Sequence, residues 1–325
     1  MGKLAFVFPG QGSQYAGMGK ELAERFPLAR AAFEEADQAL GFALSRLCFE
    51  GPEEELKLTA NTQPAVLTCS VAAYRVLREK DITPDYVAGH SLGEYSALVA
   101  AGCLSLRDAV VTVRRRGQWM QEAVPAGEGA MAAILGLPAD RVQEVCEQVA
   151  QGQVVSPANL NSPEQVVISG HAVAVERAME AAKAAGAKRA VRLPVSAPFH
   201  CALMELAIGP LTQQLASITF NALRVPLVSN VDADLVRTAA AARDALRRQV
   251  PAAVRWEESM RKLVALGCDR AVEVGPGKVL SGLWRQIDRS IATLNVEDAA
   301  SLEKTLAQLA PPKAGLAGAA REATS

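Results

Sequence analysis

Apolar positions along the chain fall into two kinds of run. Residues 4–8 form a short uninterrupted apolar stretch closed by Pro9-Gly10, the pattern of a buried strand feeding a loop. Segments 19–40 and 63–80 read as helices, and 86–88 returns to a strand pattern that leads into Gly89. Helical patterns over 92–101 and 106–123 follow. Strands alternating with long helices predict a parallel sheet covered on both faces.

The middle of the chain changes character. Residues 130–135 predict a strand and 139–150 a helix. Strands at 154–159 and 165–169 turn through Asn161-Ser162-Pro163, then 173–185 predicts a helix and 188–193 a strand. That β-α-β-β-α-β order is the ferredoxin-like arrangement and can close as a small unit of its own. Alternation of the first kind resumes with a helix at 202–217, a strand at 225–229, helices at 238–249 and 255–266, a strand at 271–274 and a helix from 278. The expectation is an α/β protein: a large parallel-sheet domain (1–127 and 196–310) carrying an inserted small ferredoxin-like domain (128–195). The Ala/Gly/Pro-rich segment 311–325 reads as a disordered tail.

Composition narrows the class. Half of the 325 residues are hydrophobic and 21% are charged, which supplies a core and argues against disorder. Thirty-four Lys and Arg against 35 Asp and Glu leave a net charge of −1, so nucleic acid is not an expected partner. The six cysteines (48, 69, 103, 146, 201, 268) show no Cys-x-x-Cys or Cys/His ligand spacing. Free thiols in a reducing compartment are expected, with no metal site. No apolar run reaches the ~20 residues that cross a bilayer, and the apolar start has no cleavage site after it. These features predict a soluble cytoplasmic protein without membrane contact.

Gly89-His90-Ser91-Leu92-Gly93 fits G-x-S-x-G between an expected strand and an expected helix. In that context the glycines permit a sharp turn that presents the serine hydroxyl, making the large domain α/β-hydrolase-like. The following helix start aims N–H groups at any oxyanion forming there, and the Leu92 N–H is a candidate donor. A serine hydroxyl needs a base. Of three histidines, His90 adjoins the serine and is poorly directed toward it, and His171 opens a helix of the insertion, where a surface or capping role is expected. His200, in the loop 196–200, is left as the base. Asp108 and Asp140 both belong to helices and neither reads as a buried orienter, although a glutamate in that role stays open. A Ser–His dyad, its imidazole held by a backbone carbonyl, is the expectation.

In the helix 106–123 the apolar stripe is Leu106, Ala109, Val110, Val113, Gly117 and Met120. Arg115 falls opposite it, while Arg114 and Arg116 sit on its two flanks. Periodicity does not choose between those two for an inward guanidinium able to pair both oxygens of a carboxylate.

Together these residues resemble the malonyl-CoA:acyl-carrier-protein transacylase family over roughly 3–310. The resemblance runs through Phe8-Pro9-Gly10-Gln11-Gly12-Ser13-Gln14, Gly89-His90-Ser91-Leu92-Gly93-Glu94-Tyr95 and Arg116-Gly117-Gln118-Trp119-Met120-Gln121. It continues through 159–170, 196–204, Ser229-Asn230-Val231 and Glu273-Val274-Gly275-Pro276-Gly277. It implies that Ser91 is the acylated nucleophile, His200 its base and Arg116 the holder of the malonyl carboxylate. The backbone N–H groups of Gln11 and Leu92 would form the oxyanion hole, with His90 in support. Gln249 matches the residue whose main-chain carbonyl orients the histidine, its side chain having no required role. Phe199 resembles malonyl-selecting members, in which a bulky ring leaves no room for an α-methyl group.

The implied reaction is ping-pong transfer of a malonyl group from malonyl-CoA to the phosphopantetheine thiol of acyl carrier protein, by a monomer using no metal or organic cofactor. Fatty-acid synthesis and trans-acting supply of a polyketide synthase use the same site. A serine thioesterase or esterase is the runner-up. A non-catalytic carrier-binding scaffold, docking through Arg114, Arg115, Lys183, Lys188 and Arg189, is the reading from another class.

Overall fold

Strand β1 (Lys3–Phe8) buries five of its six residues. Leu4, Phe6 and Phe8 join one core cluster, while Ala5 and Val7 join another on the opposite face, as the two-residue period of a strand dictates. The computed structural model describes residues 2–195 and 197–310, and the tail expected at 311–325 lies outside them. β1 pairs in parallel with β2 (Tyr86–Gly89) and with β9 (Cys268–Val274). β10 (Ala292–Val296) extends the sheet beyond β9, and the short β7 (Leu227–Val228) and β8 (Leu235–Val236) finish the other edge. The order is β10-β9-β1-β2-β7-β8, parallel except for β8.

A second sheet is built from β3 (Gly129–Leu135), β4 (Val155–Ser162), β5 (Gln165–His171) and β6 (Arg189–Arg192). Its order β4-β5-β3-β6 is wholly antiparallel, and with the helices Ala139–Val149 and Ala172–Ala184 it makes the ferredoxin-like pattern. Ile134, Ile168, Val142 and Val175 close its own core. β4 is tied to the rest of the chain at Val254: Leu160 N–H donates to the Val254 carbonyl and Val254 N–H to that of Ala158, both at 2.9 Å. A second tie joins Asn161 of β4 to His90, the residue after β2, at 2.9 Å.

Three departures from the sequence pattern have clear causes. The stretch 19–40 is two helices, Lys20–Arg25 and Pro27–Leu40, because Pro27 has no N–H to continue the first and serves as the opening residue of the second. The helix expected from 63 starts a turn earlier, at Thr59, with Pro64 inside it. Leu44–Glu50, Glu53–Leu56, β8, β10 and the helix Ala299–Leu309 carry runs too short or too alanine-rich to stand out.

Candidate active site

β1 and β2 end side by side, Phe8 opposite Gly89, and open α/β sheets place their sites at such carboxyl ends. After Gly89 the chain turns through Ser91 at φ 52° into the helix Gly93–Ala100. A left-handed serine is strained and must be held in place. Asn230 does this: its Oδ1 accepts the Ser91 N–H at 2.7 Å and its Nδ2 donates to the Gly89 carbonyl at 2.7 Å. Gly93 lets the turn press on β1, since a Cβ there would stand 2.2 Å from the Phe8 carbonyl oxygen.

His200 is buried and brings its Nε2 to 2.7 Å from Ser91 Oγ. Its Nδ1 faces the carbonyl oxygens of Gln249 at 3.0 Å and Ala252 at 3.2 Å. An Nδ1–H donating to a carbonyl fixes the tautomer and leaves Nε2 to accept the serine proton. Burial, then the neighbouring Arg116 charge, push the His200 pKa down to about 3, so the ring is neutral. Its ring nitrogens thus meet Ser91 Oγ on one side and two main-chain carbonyls on the other.

The flanking arginines are now distinguished. Arg116 is 1% exposed, donating from Nη1 to Gln63 Oε1 at 2.8 Å and from Nη2 to Ser91 Oγ at 3.1 Å and Gln249 Oε1 at 3.0 Å. Its guanidinium lies over the Tyr95 ring. Arg114 instead stacks on Phe42 and bonds Asn61, while Arg115 is exposed and bonds Gln214. Gly117 permits this placement: a Cβ there would meet the Thr59 carbonyl oxygen at 2.8 Å. The helix Leu106–Glu122 therefore lies close against the start of Thr59–Glu79, where Gln63 waits.

Gln11 and Leu92 border the same cavity, and the backbone N–H of each donates to no acceptor among the described residues. Phe199, Met120 and Met131 form its apolar wall, around a volume of about 110 Å³. Gln11, His90, Asn159, Leu193 and Val195 also line an adjoining groove of about 640 Å³ that runs beside Asn161, Val167 and Leu283. His90 turns away from Ser91; its Nε2 meets Asn161 Oδ1 at 2.9 Å and its ring tilts over Trp256. Enclosure lowers its pKa.

Two expectations need correction. The Gln249 side chain is not idle: beside its bond from Arg116, its Nε2 donates to Ser91 O, Glu94 Oε2 and Asn230 Oδ1. A glutamine fully buried beside an arginine must place both ends of its amide, and here it does. His171 makes no cap to its helix; its Nδ1 accepts the Val154 N–H at 3.0 Å and pins the entry to β4. Gln63, Asn230 and Glu94 carry polar contacts at the site that sequence reasoning gave no role. The last two stood inside motifs, but nothing in their spacing disclosed a direction.

A mainly parallel α/β sheet, with an elbow serine against a neutral imidazole at its strand ends, defines a serine-dependent acyl-transfer enzyme. Residues 5–309 match the family model described as the acyl transferase domain. The malonyl CoA-acyl carrier protein transacylase of Bacillus subtilis (strain 168) is 53% identical over 310 residues, covering 95% of this chain and 98% of the relative. An acyl carrier protein S-malonyltransferase from Vibrio cholerae superposes with a TM-score of 0.91 at 48% identity, covering 93% of this chain and 99% of that one. A malonyl-transacylase solved in complex with a type II PKS acyl-carrier protein gives 0.92 at 49% identity, covering 94% and 99%. The chain belongs to the malonyl-CoA:acyl-carrier-protein transacylase family.

Proposed function

We propose that this chain transfers a malonyl group from malonyl-CoA to the phosphopantetheine thiol of acyl carrier protein through a malonyl ester on Ser91. The observation that carries the reading is the buried Arg116 guanidinium 3.1 Å from Ser91 Oγ. A malonyl carboxylate lies two carbon–carbon bonds from the reacting carbonyl carbon, within reach of that fork, and an acetyl group has nothing to offer it.

In the first half-reaction Ser91 Oγ attacks the thioester carbonyl as His200 Nε2 takes its proton. The N–H groups of Gln11 and Leu92 receive the oxyanion. The C–S bond breaks, and the departing CoA thiolate takes the proton from the imidazolium. In the second half the carrier thiol gives its proton to His200 and attacks the ester carbonyl, and Ser91 leaves reprotonated. Phe199 closes the cavity against a larger α-substituent, and His90 supports the floor through Asn161.

We take residues 1–127 with 196–310 as the catalytic unit and 128–195 as the small domain over it. No helix among the described residues is long and apolar enough to cross a membrane, and a cytoplasmic enzyme is the reading we adopt. The likeness to a transacylase in complex with a polyketide carrier favours supply of a polyketide synthase as a second reading; assays with both kinds of carrier separate them. The central test weighs the protein after incubation with malonyl-CoA. One malonyl group is expected on Ser91, held until phosphopantetheinylated carrier is added. Free malonate appearing with no accumulated ester would point to a hydrolase.

A further inference from the structure

Glu94 lies fully buried in the first turn of the helix after the elbow and lines neither the cavity nor the groove. Its Oε2 accepts the Asn230 N–H at 2.9 Å and the Gln249 Nε2 at 3.0 Å, while Oε1 has no hydrogen-bond partner among the described residues. Each group it holds leads to the site. Asn230 supports the strained Ser91 backbone. Gln249 presents Oε1 to Arg116 Nη2, the same nitrogen that reaches Ser91 Oγ.

We propose that Glu94 is a positioning residue for malonyl transfer: by accepting from Gln249 Nε2 it fixes the Gln249 amide with its oxygen toward Arg116, and so fixes the guanidinium that selects the malonyl carboxylate. This rests on the reading of Arg116 as the carboxylate clamp.

A primary amide has two orientations of nearly equal shape, separated only by where donors and acceptors fall. As found, Nε2 faces three acceptors and Oε1 faces a donor. Reversed, the NH2 group would meet Arg116 donor to donor, and the amide oxygen would meet the three acceptors. Each of those acceptors also takes a backbone N–H: Ser91 O from Glu94, Asn230 Oδ1 from Ser91, and Glu94 Oε2 from Asn230. The carboxyl oxygen is the strongest of the three. Burial lifts the Glu94 pKa to about 7, and with a proton on Oε1 the bonded Oε2 still accepts. The lone pair, not the charge, is what position 94 must supply. Gln can supply it there and Met cannot.

The test is acylation kinetics of the full chain with malonyl-CoA and acetyl-CoA in wild type, Glu94→Met, Glu94→Gln and Arg116→Ala, each normalised to folded protein by circular dichroism. E94M is expected to raise KM for malonyl-CoA and to cut the malonyl-to-acetyl ratio of kcat/KM roughly 10²-fold, the scale of an ~1 Å misplacement. E94Q is expected to restore most of that ratio. A wild-type ratio in folded E94M, or E94Q no better than E94M, overturns the proposal. R116A separates the two layers: if it lowers the ratio and E94M does not, only the positioning role falls. If R116A leaves the ratio intact, the clamp falls and the role of Glu94 falls with it. Should E94M fail to fold, Glu94→Asp, which withdraws the oxygen by one methylene at constant charge, takes its place under the same outcomes.

Discussion

His200 Nδ1 lies 3.0 Å from the main-chain carbonyl oxygen of Gln249, where a hydrolase triad has a carboxylate. A neutral carbonyl orients the ring but does not stabilise an imidazolium as an anion does, and Arg116 nearby opposes that charge further. Such a base suits thiol exchange. CoA and carrier thiols ionise far more readily than water, so they need less help to leave and to attack.

This arrangement has a pH signature. The native ring, depressed to about 3, stays neutral where an unfolded histidine at 6.5 takes a proton. Between those values the unfolded state binds more protons, so the stability His200 contributes is full above pH 6.5 and is lost as pH falls toward 3. Thermal unfolding of wild type and His200→Gln from pH 7 to 4 tests this. Wild type is expected to lose Tm more steeply over that window, and parallel curves would contradict it.

Arg116→Ala is expected to depress malonyl transfer far more than acetyl transfer. Removing one partner of a buried charged pair costs about 3–5 kcal/mol, or roughly 10²–10⁴-fold in rate. Acetyl transfer lacks that pair and should change much less. Single-turnover acylation of Ser91 with each CoA ester measures both, and equal losses would remove the clamp from the mechanism.

The nucleophile was legible in the sequence because strand, glycines and helix each leave a local mark, and Gly89 to Gly93 carries all three. His200 followed by elimination among three histidines. Arg116 was not separable from Arg114 by periodicity. What decides between them is the close approach at Gly117 and the buried Gln63 opposite, a meeting of two helices that no single-helix pattern records. Gln63 itself was hidden because it stood at the expected start of its helix, at 63, whereas the helix begins at Thr59 and holds it inside. The amide directions of Gln249 and Asn230 were illegible for a related reason: the first meets Glu94, 155 residues away, and the second meets Ser91 and Gly89, 139 and 141 residues away.

Phe199 is 8% exposed and walls the cavity beside Met120 and Met131. Phe199→Ala is expected to admit an α-methyl group. A single methyl in a pocket is worth about 1–3 kcal/mol, so the methylmalonyl-to-malonyl ratio of kcat/KM should rise roughly 10–200-fold. Competition between the two CoA esters, scored by the mass of the acyl-enzyme, gives the ratio directly. An unchanged ratio would assign Phe199 to packing alone.

Glu94 titrates in the opposite sense to His200. Burial raises its carboxyl to about 7 from 4.5, Asp232 adds to the rise, and Arg116 with the donors from Asn230 and Gln249 pulls against it. Between pH 4.5 and about 7 the native carboxyl holds a proton that the unfolded chain has released. Stability therefore falls as pH climbs through that window, by on the order of 3 kcal/mol in all. Glu94→Gln cannot ionise and escapes this loss, whatever constant cost its unpaired buried amide carries. The Tm of E94Q relative to wild type is expected to rise from pH 4.5 to 7 and level off above it. A difference that stays flat across the range would mean that the carboxyl ionises in the native protein as it does in the unfolded chain.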